Sequence, residues 1–476
     1  MQRIEFRPYD QVSVCLEQVL NGSPADETEV VWLERRHGWA TCRGRRGVLE
    51  RPRLTVLVRV VEAGRLGLFR TDTADSNLLE SGVRQALAMA KVQPRIGKRP
   101  ILPTDTRELR APPQLLDREI SRLDPRSARS LLQRLCGKEE EDARLTWSEA
   151  HLAIFNSHGL RRSAASSEVS LQVVASTQPG GGRTAGSART LEALDPEGIR
   201  RRARRNHTSG PVVPLPSEPV PILLAPEATV ELLNVLNAFA FAGRSYLDGT
   251  SFLSRYRNVQ VFDQSFNLRD DGTRGGLPFP FDFEGSAKRR LDLIVHGKPS
   301  TPALNQYQGA AAGLEPTAQA VGGQDSLFSN LFLLPGPASE AELLAAADGG
   351  ISIGWLEPPE CFEPSQLRIR AVARSVRRIE GGRLGPPLPD FVWEESLLRA
   401  LARLRGVGGM EVLRSTPTTP LGGISAPAIV LAETEAIVPR TVPPISPPHQ
   451  DPRSRRQGSR RHRRWPRQDR RRRTTV

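Results

Sequence analysis

Two periods alternate along this chain. Apolar and polar residues swap in a strand-like way through EVVWLERRHGWATC (residues 29–42) and again through RLTVLVRVVEAGRLGLFR (53–70), with Gly/Arg turns between them. In SNLLESGVRQALAMAKVQP (76–94) the spacing changes: Leu78, Val83, Ala86, Leu87 and Ala90 fall near one helical face, and Pro94 stops the run. A Pro/Arg/Thr-rich connector over 92–115 leads to SRLDPRSARSLLQRLCG (121–137), which predicts a second helix. LTWSEAHLAIFNSHGLRRSAASSEVSLQVVAS (145–176) predicts a hairpin turning at Asn156-Ser157-His158-Gly159, where Asn and Gly tolerate the positive φ of a tight connection.

Further along, LDPEGIRRRARRNH (194–207) has the pattern of an amphipathic helix with a basic face, and TSGPVVPLPSEPVP (208–221) that of a proline-rich crossing, which places a domain boundary near residue 212. The next segment opens with PILLAPEATVELLNVLNAF (221–239). Ile222–Ala225 suits a short buried strand, Pro226 the first turn of a helix, and Leu232, Val235, Leu236 and Phe239 one apolar helical face. SLFSNLFLLPGPASEAELLAAADGGISIGW (326–355) predicts strand, turn, capped helix and strand. LLRALARLRGVGG (397–409) predicts a helix closed by Gly406, and SAPAIVLAETEAI (425–437) the last strand. The expected fold is α+β. Residues 1–211 form an N-terminal domain of strands packed with helices, 212–438 a mixed β-rich domain with helices, and 439–476 a Pro/Arg-rich disordered tail.

Composition sharpens this only in places. A length of 476 residues exceeds one ordinary core, and 40 prolines with 40 glycines imply many turns. The net charge of +14 is concentrated at one end: His449 to Val476 holds twelve arginines against two aspartates, or +10, leaving about +4 for the rest. No apolar run approaches the roughly 18 residues that span a bilayer, so a cytoplasmic protein with no membrane contact is expected. Cys15, Cys42, Cys136 and Cys361 are scattered, with no CxxC pair, and read as separate reduced thiols.

Candidate chemistry is sparse. TQPGGGRTAGS (177–187) has Ser187 where a phosphate-binding loop needs its lysine. RDDGTRGGLPFPFDFEG (269–285) sets the pair Asp270 and Asp271 ahead of Asp282 and Glu284, with a Gly/Pro bend between, but without the regular spacing of a calcium loop. His151 and His158, which flank the hairpin turn, are expected to be exposed.

Several of these pieces, in order, resemble the TldD/PmbA family, formerly called modulators of DNA gyrase. They are GLFRTDTADSNLLESGVRQALAMA, NSHG, PILLAPEATVELLNVLNAFAFAGRSYLDGTSFL, LRDDGTRGGLPFPFDFEG, RRLDLIVHGKP, NLFLLPGPASEAELLAAADGGISI and SAPAIVLAETEAI, covering roughly residues 28 to 437. The resemblance implies a two-domain α+β protein of a cytoplasmic peptidase complex. In that family the TldD subunit carries a His-Glu-x-x-x-His helix and a distal Cys that bind zinc, the glutamate activating the bound water. Its partner, TldE or PmbA, lacks them. Here the motif falls on Pro226-Glu227-Ala228-Thr229-Val230-Glu231, so Glu227 takes the place of the base while Pro226 and Glu231 take the ligand places. Proline has no donor atom, and the segment matching the distal Cys, GVGGMEVLRSTPTTPLGG (406–423), has no cysteine. Glu227 reads as a first-turn glutamate favoured by the helix dipole.

The resemblance therefore implies a PmbA/TldE-like subunit with no catalytic residues and no cofactor of its own, zinc residing on a TldD-like metallopeptidase partner, and peptides or unfolded proteins as substrates. Asp270, Asp271, Asp282 and Glu284 become a loop that shapes the cleft and contacts peptide. Two alternatives stay open at this point: a nucleic-acid-binding protein acting through the arginine-rich tail, and a homodimer that binds peptides without cleaving them.

Overall fold

The computed structural model describes residues 6–42, 47–95, 101–109, 112, 114–136, 142–175, 181–323 and 325–432. The expected disordered tail, with its proposed nucleic-acid contact, lies outside them, as does most of AETEAI. The fold is α+β and is built on two sheets.

The first sheet contains β1 (Glu27–Thr41), β2 (Gly47–Leu49), β3 (Arg53–Glu62), β4 (Arg65–Thr71), β5 (Asp142–Asn156), β6 (Arg161–Val174) and β7 (Arg183–Ala188). Its strands run antiparallel in the order β4-β3-β1-β5-β6-β7, with β2 attached to β1. One face carries α1 (Tyr9–Asn21) and α2 (Ser76–Lys91), whose Val12, Leu16, Leu79, Val83 and Ala86 pack on Val30, Trp32, Val56 and Val58. Asp75 caps α2 by accepting from the Leu78 N–H at 2.9 Å. Gly67 on β4 lets that helix approach, since a Cβ there would lie 1.8 Å from the Ala86 carbonyl oxygen. The expected 121–137 helix divides into α3 (Arg118–Ser121) and α4 (Pro125–Cys136), because Pro125 favours the first turn of a new helix. The β5–β6 hairpin turns where expected: Gly159 has φ +85°, and the Asn156 side chain accepts from the His158 and Leu160 N–H groups.

After α5 (Pro196–Asn206), the second sheet begins at β8 (Ile222–Leu224), followed by α6 (Pro226–Val235). Then come β9 (Leu268–Asp271), β10 (Arg290–Val295), β11 (Lys298–Pro299), β12 (Asn330–Leu333), β13 (Ile351–Leu356) and β14 (Glu360–Glu363). The sheet is completed by β15 (Arg368–Glu380), β16 (Arg383–Pro387), β17 (Phe391–Ser396), β18 (Leu404–Arg414) and β19 (Gly423–Leu431). Its main order is β11-β10-β9-β12-β19-β8-β13-β15-β14, with β12∥β19 and β8∥β13 as its parallel pairs. The expected helix over 397–409 covers only Leu397–Leu401. From Leu404 the chain pairs antiparallel with β19, and this ladder overrides the helical propensity of the leucine-rich run.

The two halves meet through the Gly/Pro bend. Phe279, Phe281 and Phe283 alternate with prolines and acids, and they pack on Val31, Leu57, Ala150, Leu152 and Ile154 of the first sheet. Arg189 reinforces this joint by donating to the carbonyls of Leu277, Pro278 and Leu421 at 3.0, 2.9 and 2.7 Å.

Candidate functional site

α6 starts at Pro226, as its sequence predicts, and runs through the interior between β13, β18 and β19, with Pro226, Glu227 and Glu231 all buried. A buried carboxylate needs a partner, and here arginines from distant segments supply it. Arg414, at the end of β18, lies 2.8 Å from Glu231 Oε1 and also donates to the Glu227 carbonyl at 3.4 Å. Glu227 Oε1 accepts from the Thr184 hydroxyl on β7 and lies 3.4 Å from Arg202 Nε on α5. Glu227 Oε2 is buried with no hydrogen-bond partner among the described residues.

Around these acids stand two further arginines, Arg183 and Arg374. The guanidinium carbons of Arg183 and Arg414 each lie 4.2 Å from the ring centre of the buried Trp355, so this ring contacts two cations. Burial and the neighbouring Arg414 push Arg183 down to about 10. Arg374 closes the cluster by pairing with Glu357 and Asp390, each at 2.8 Å, and burial raises the Asp390 carboxyl despite that contact.

These residues do not fit a zinc ion. Pro226 offers no donor and Glu231 is held by Arg414. The segment that resembles the distal-ligand region delivers a guanidinium to α6 where a thiolate would be needed. Among the described residues no group of three His, Cys, Asp or Glu could hold a metal. The arrangement can neutralise buried carboxylates and bind β7, α5, α6, β13 and β18 together.

The acidic stretch at 269–285 forms a second, separate cluster that shares no hydrogen-bond partner with the first among the described residues. The four acids expected to shape the cleft and contact peptide are buried: Asp270, Asp271, Asp282 and Glu284 all face inward. Their oxygens accept from N–H groups that lock the bend and its neighbours. Asp270 takes Ser329 N, Asn330 N and Gln319 Nε2, and Asp271 takes Thr273 N. Asp282 takes the N–H groups of Glu284, Ser286 and Ala320, each at 2.9 Å. Glu284 Oε1 reaches across the joint to Arg59 Nη1 at 2.7 Å, while Oε2 accepts from Gln306 N. Burial raises the carboxyls of Asp270 and Asp282 and lowers the Lys288 ammonium among them.

His151 and His158 are also less exposed than expected. His151 is half-buried and stacks on Phe6 with ring centres 4.2 Å apart, and burial lowers its pKa. His158 Nε2 meets Glu27 Oε2 at 2.9 Å. Sequence reasoning missed Arg183, Trp355, Arg414 and Arg59, whose partners are remote in sequence and follow no local spacing rule.

With this geometry, two domain profiles match the chain. The PmbA/TldA metallopeptidase central domain matches residues 118–209 and the PmbA/TldA metallopeptidase C-terminal domain residues 217–437, together well over half of the sequence. The chain belongs to the PmbA/TldD family. No curated protein matches it in sequence. Among solved structures, this PmbA/TldD chain is similar in fold to TldE from Thermococcus kodakarensis, with a TM-score of 0.73, 20% identity, and 90% of this chain and 99% of that one covered. A Thermotoga maritima protein described as a candidate modulator of a DNA gyrase gives a TM-score of 0.72 at 20% identity, covering 90% and 99%. A similarly described protein from Bacteroides thetaiotaomicron gives 0.69 at 14%, covering 92% and 100%. No described helix is long and apolar enough to cross a membrane.

Proposed function

We propose that this chain is the catalytically silent, PmbA/TldE-like subunit of a heterodimeric peptidase, with zinc carried by a TldD-like partner and peptides or unfolded proteins as substrates. The observation that carries this reading is the Arg414–Glu231 pair at 2.8 Å. It puts a cation in contact with the α6 position where a zinc-bearing relative needs a ligand, so hydrolysis must come from another chain. Free thiols at Cys15 and Cys361 suit the reducing cytoplasm where such a complex would work.

The test is purification of the chain alone and co-expressed with a TldD-like subunit carrying an intact His-Glu-x-x-x-His helix. Co-purification is expected, with zinc and peptide hydrolysis found only in the complex. Zinc-dependent hydrolysis by the lone chain, or failure of the two to associate, would sink the proposal.

A further inference from the structure

β4 is the last strand of the first sheet and pairs only with β3. Their connection is the two-residue turn Ala63-Gly64, with φ +49° and +72°, closed by the pair Glu62 and Arg65. In an antiparallel ladder closed this way Arg65, Gly67, Phe69 and Thr71 bond to β3, so Leu66, Leu68 and Arg70 turn their N–H and C=O groups outward. Ile101 and Leu102 pack on Leu66, but the outward groups of Leu68 and Arg70 have no partner among the described residues. Other edges of the molecule are blunted. β11 is two residues long and ends in Pro299, whose carbonyl accepts from Asn258 N at 2.7 Å; β14 lies between Pro359 and Pro364 and carries a register shift. β4 has neither a proline nor a bulge over its seven residues.

Side chains on both faces of this edge suit an incoming strand. On one face α2 lies directly over β4: a Cβ on Gly67 would meet the Ala86 carbonyl, and one on Gly82 the Phe69 ring. Leu78 and Met89 share the flank of α2 that carries Gly82, and they are 37% and 50% exposed. They form an apolar shelf beside the strand. On the other face Arg70 is exposed and has no ion pair among the described residues. Arg65 instead donates to the Lys91 carbonyl at 2.6 Å, so its charge is engaged by the end of α2.

We propose that the free edge of β4 binds an extended peptide by antiparallel strand addition, with apolar side chains toward α2 and an acidic one opposite Arg70. The outward N–H and C=O groups of Leu68 and Arg70 are complemented by another extended backbone, and the unpaired Arg70 sets the acid. Recognition through the backbone tolerates varied sequences, as a protein that handles unfolded chains requires. That purpose rests on the reading of peptides as substrates; the binding itself needs neither zinc nor a second subunit, so it fails or succeeds independently of co-purification.

The probe is fluorescein-Gly-Thr-Glu-Val-Ile-Val-Thr-amide, titrated into the full chain and read by fluorescence anisotropy. Saturable binding is expected. The same peptide N-methylated at its Glu and Ile loses the two N–H groups that would face β4, and it should bind about tenfold more weakly. Leu68→Pro removes an outward N–H at a place where an edge strand tolerates proline, and it should also weaken binding about tenfold. Should that variant not fold, the methylated peptide carries the test on the wild-type chain. Arg70→Glu should weaken the peptide about threefold and favour its lysine-for-glutamate counterpart by a similar factor. No saturable binding, or binding indifferent to N-methylation, overturns the proposal, and indifference to Arg70→Glu overturns the preference for an acid. A concentration-dependent dimer of the chain that Leu68→Pro abolishes also overturns it, because a second copy would then occupy the edge.

Discussion

Arg59 on β3 and Glu284 in the Gly/Pro bend pair at 2.7 Å across the two halves, with both side chains almost wholly out of solvent. On its other side Arg59 Nε donates to Glu29 at 2.7 Å, and its Nη2 to the Phe283 carbonyl at 2.9 Å. One guanidinium thus serves two carboxylates. Burial outweighs that contact for the acids, lifting Glu29 to about 8 and Glu284 to about 7. Burial would lower Arg59, but the two carboxylates reverse this and raise it.

The pH dependence of stability follows from the sign of these shifts. A carboxyl whose pKa is higher in the folded than in the unfolded state binds a proton on folding. Its contribution is complete below the ordinary value of 4.5 and is lost as pH rises through about 8 for Glu29. Thermal midpoints should therefore fall between pH 6 and pH 9. Glu29→Gln, which retains an acceptor for Arg59, should flatten this slope; an unchanged slope in the variant would remove Glu29 as its source.

Removing the shared cation has a different outcome. At pH 9, above the values reached by both acids, Arg59→Ala leaves two buried carboxylates without their guanidinium, and a loss of about 3–5 kcal/mol in urea unfolding is expected. The double variant Glu29→Gln with Arg59→Ala should lose less than Arg59→Ala alone, because one of the stranded charges is gone.

A zinc site should be hard to restore on α6. Pro226→His with Glu231→His supplies two imidazoles but leaves Arg183 and Arg414 facing them, so no stoichiometric zinc is expected by equilibrium dialysis and metal analysis. Adding Arg414→Cys removes one cation and supplies a thiolate from the β18 end, and the triple variant should take up zinc. Zinc binding by the double variant would show that the arginines are no barrier.

Gly67→Ala tests the α2–β4 contact. The new Cβ would clash with the Ala86 carbonyl, forcing the helix from the sheet at a cost of about 2 kcal/mol. A thermal midpoint equal to wild type would mean that the helix shifts freely.

What the sequence made legible was local. β1, α2 and the β5–β6 hairpin follow from alternation, helical spacing and the Asn156–Gly159 turn, all contained within their own segments. α1 is equally local, with Val12, Leu16 and Val19 at i, i+4 and i+7 between Pro8 and Gly22. β18 was misread because its partner, not its composition, makes it a strand. At the candidate site, the missing ligands of α6 were plain from Pro226 and Glu231, whereas the cation that occupies the space came from a strand end that no spacing rule connects to α6. The acids at 270–284 read as a cleft-shaping loop because Gly and Pro mark turns; the alternating Phe279, Phe281 and Phe283 are the sign that the turn is covered.

That cover arrives late. The first sheet is complete in sequence at Ala188, but the phenylalanines that shield its Val31–Ile154 face follow roughly a hundred residues later, which at ordinary rates of synthesis is about 5–20 s. Through that interval the nascent first half exposes a greasy surface, so the chain's yield in a cell depends on what protects the ribosome-bound intermediate as well as on the stability of the finished joint.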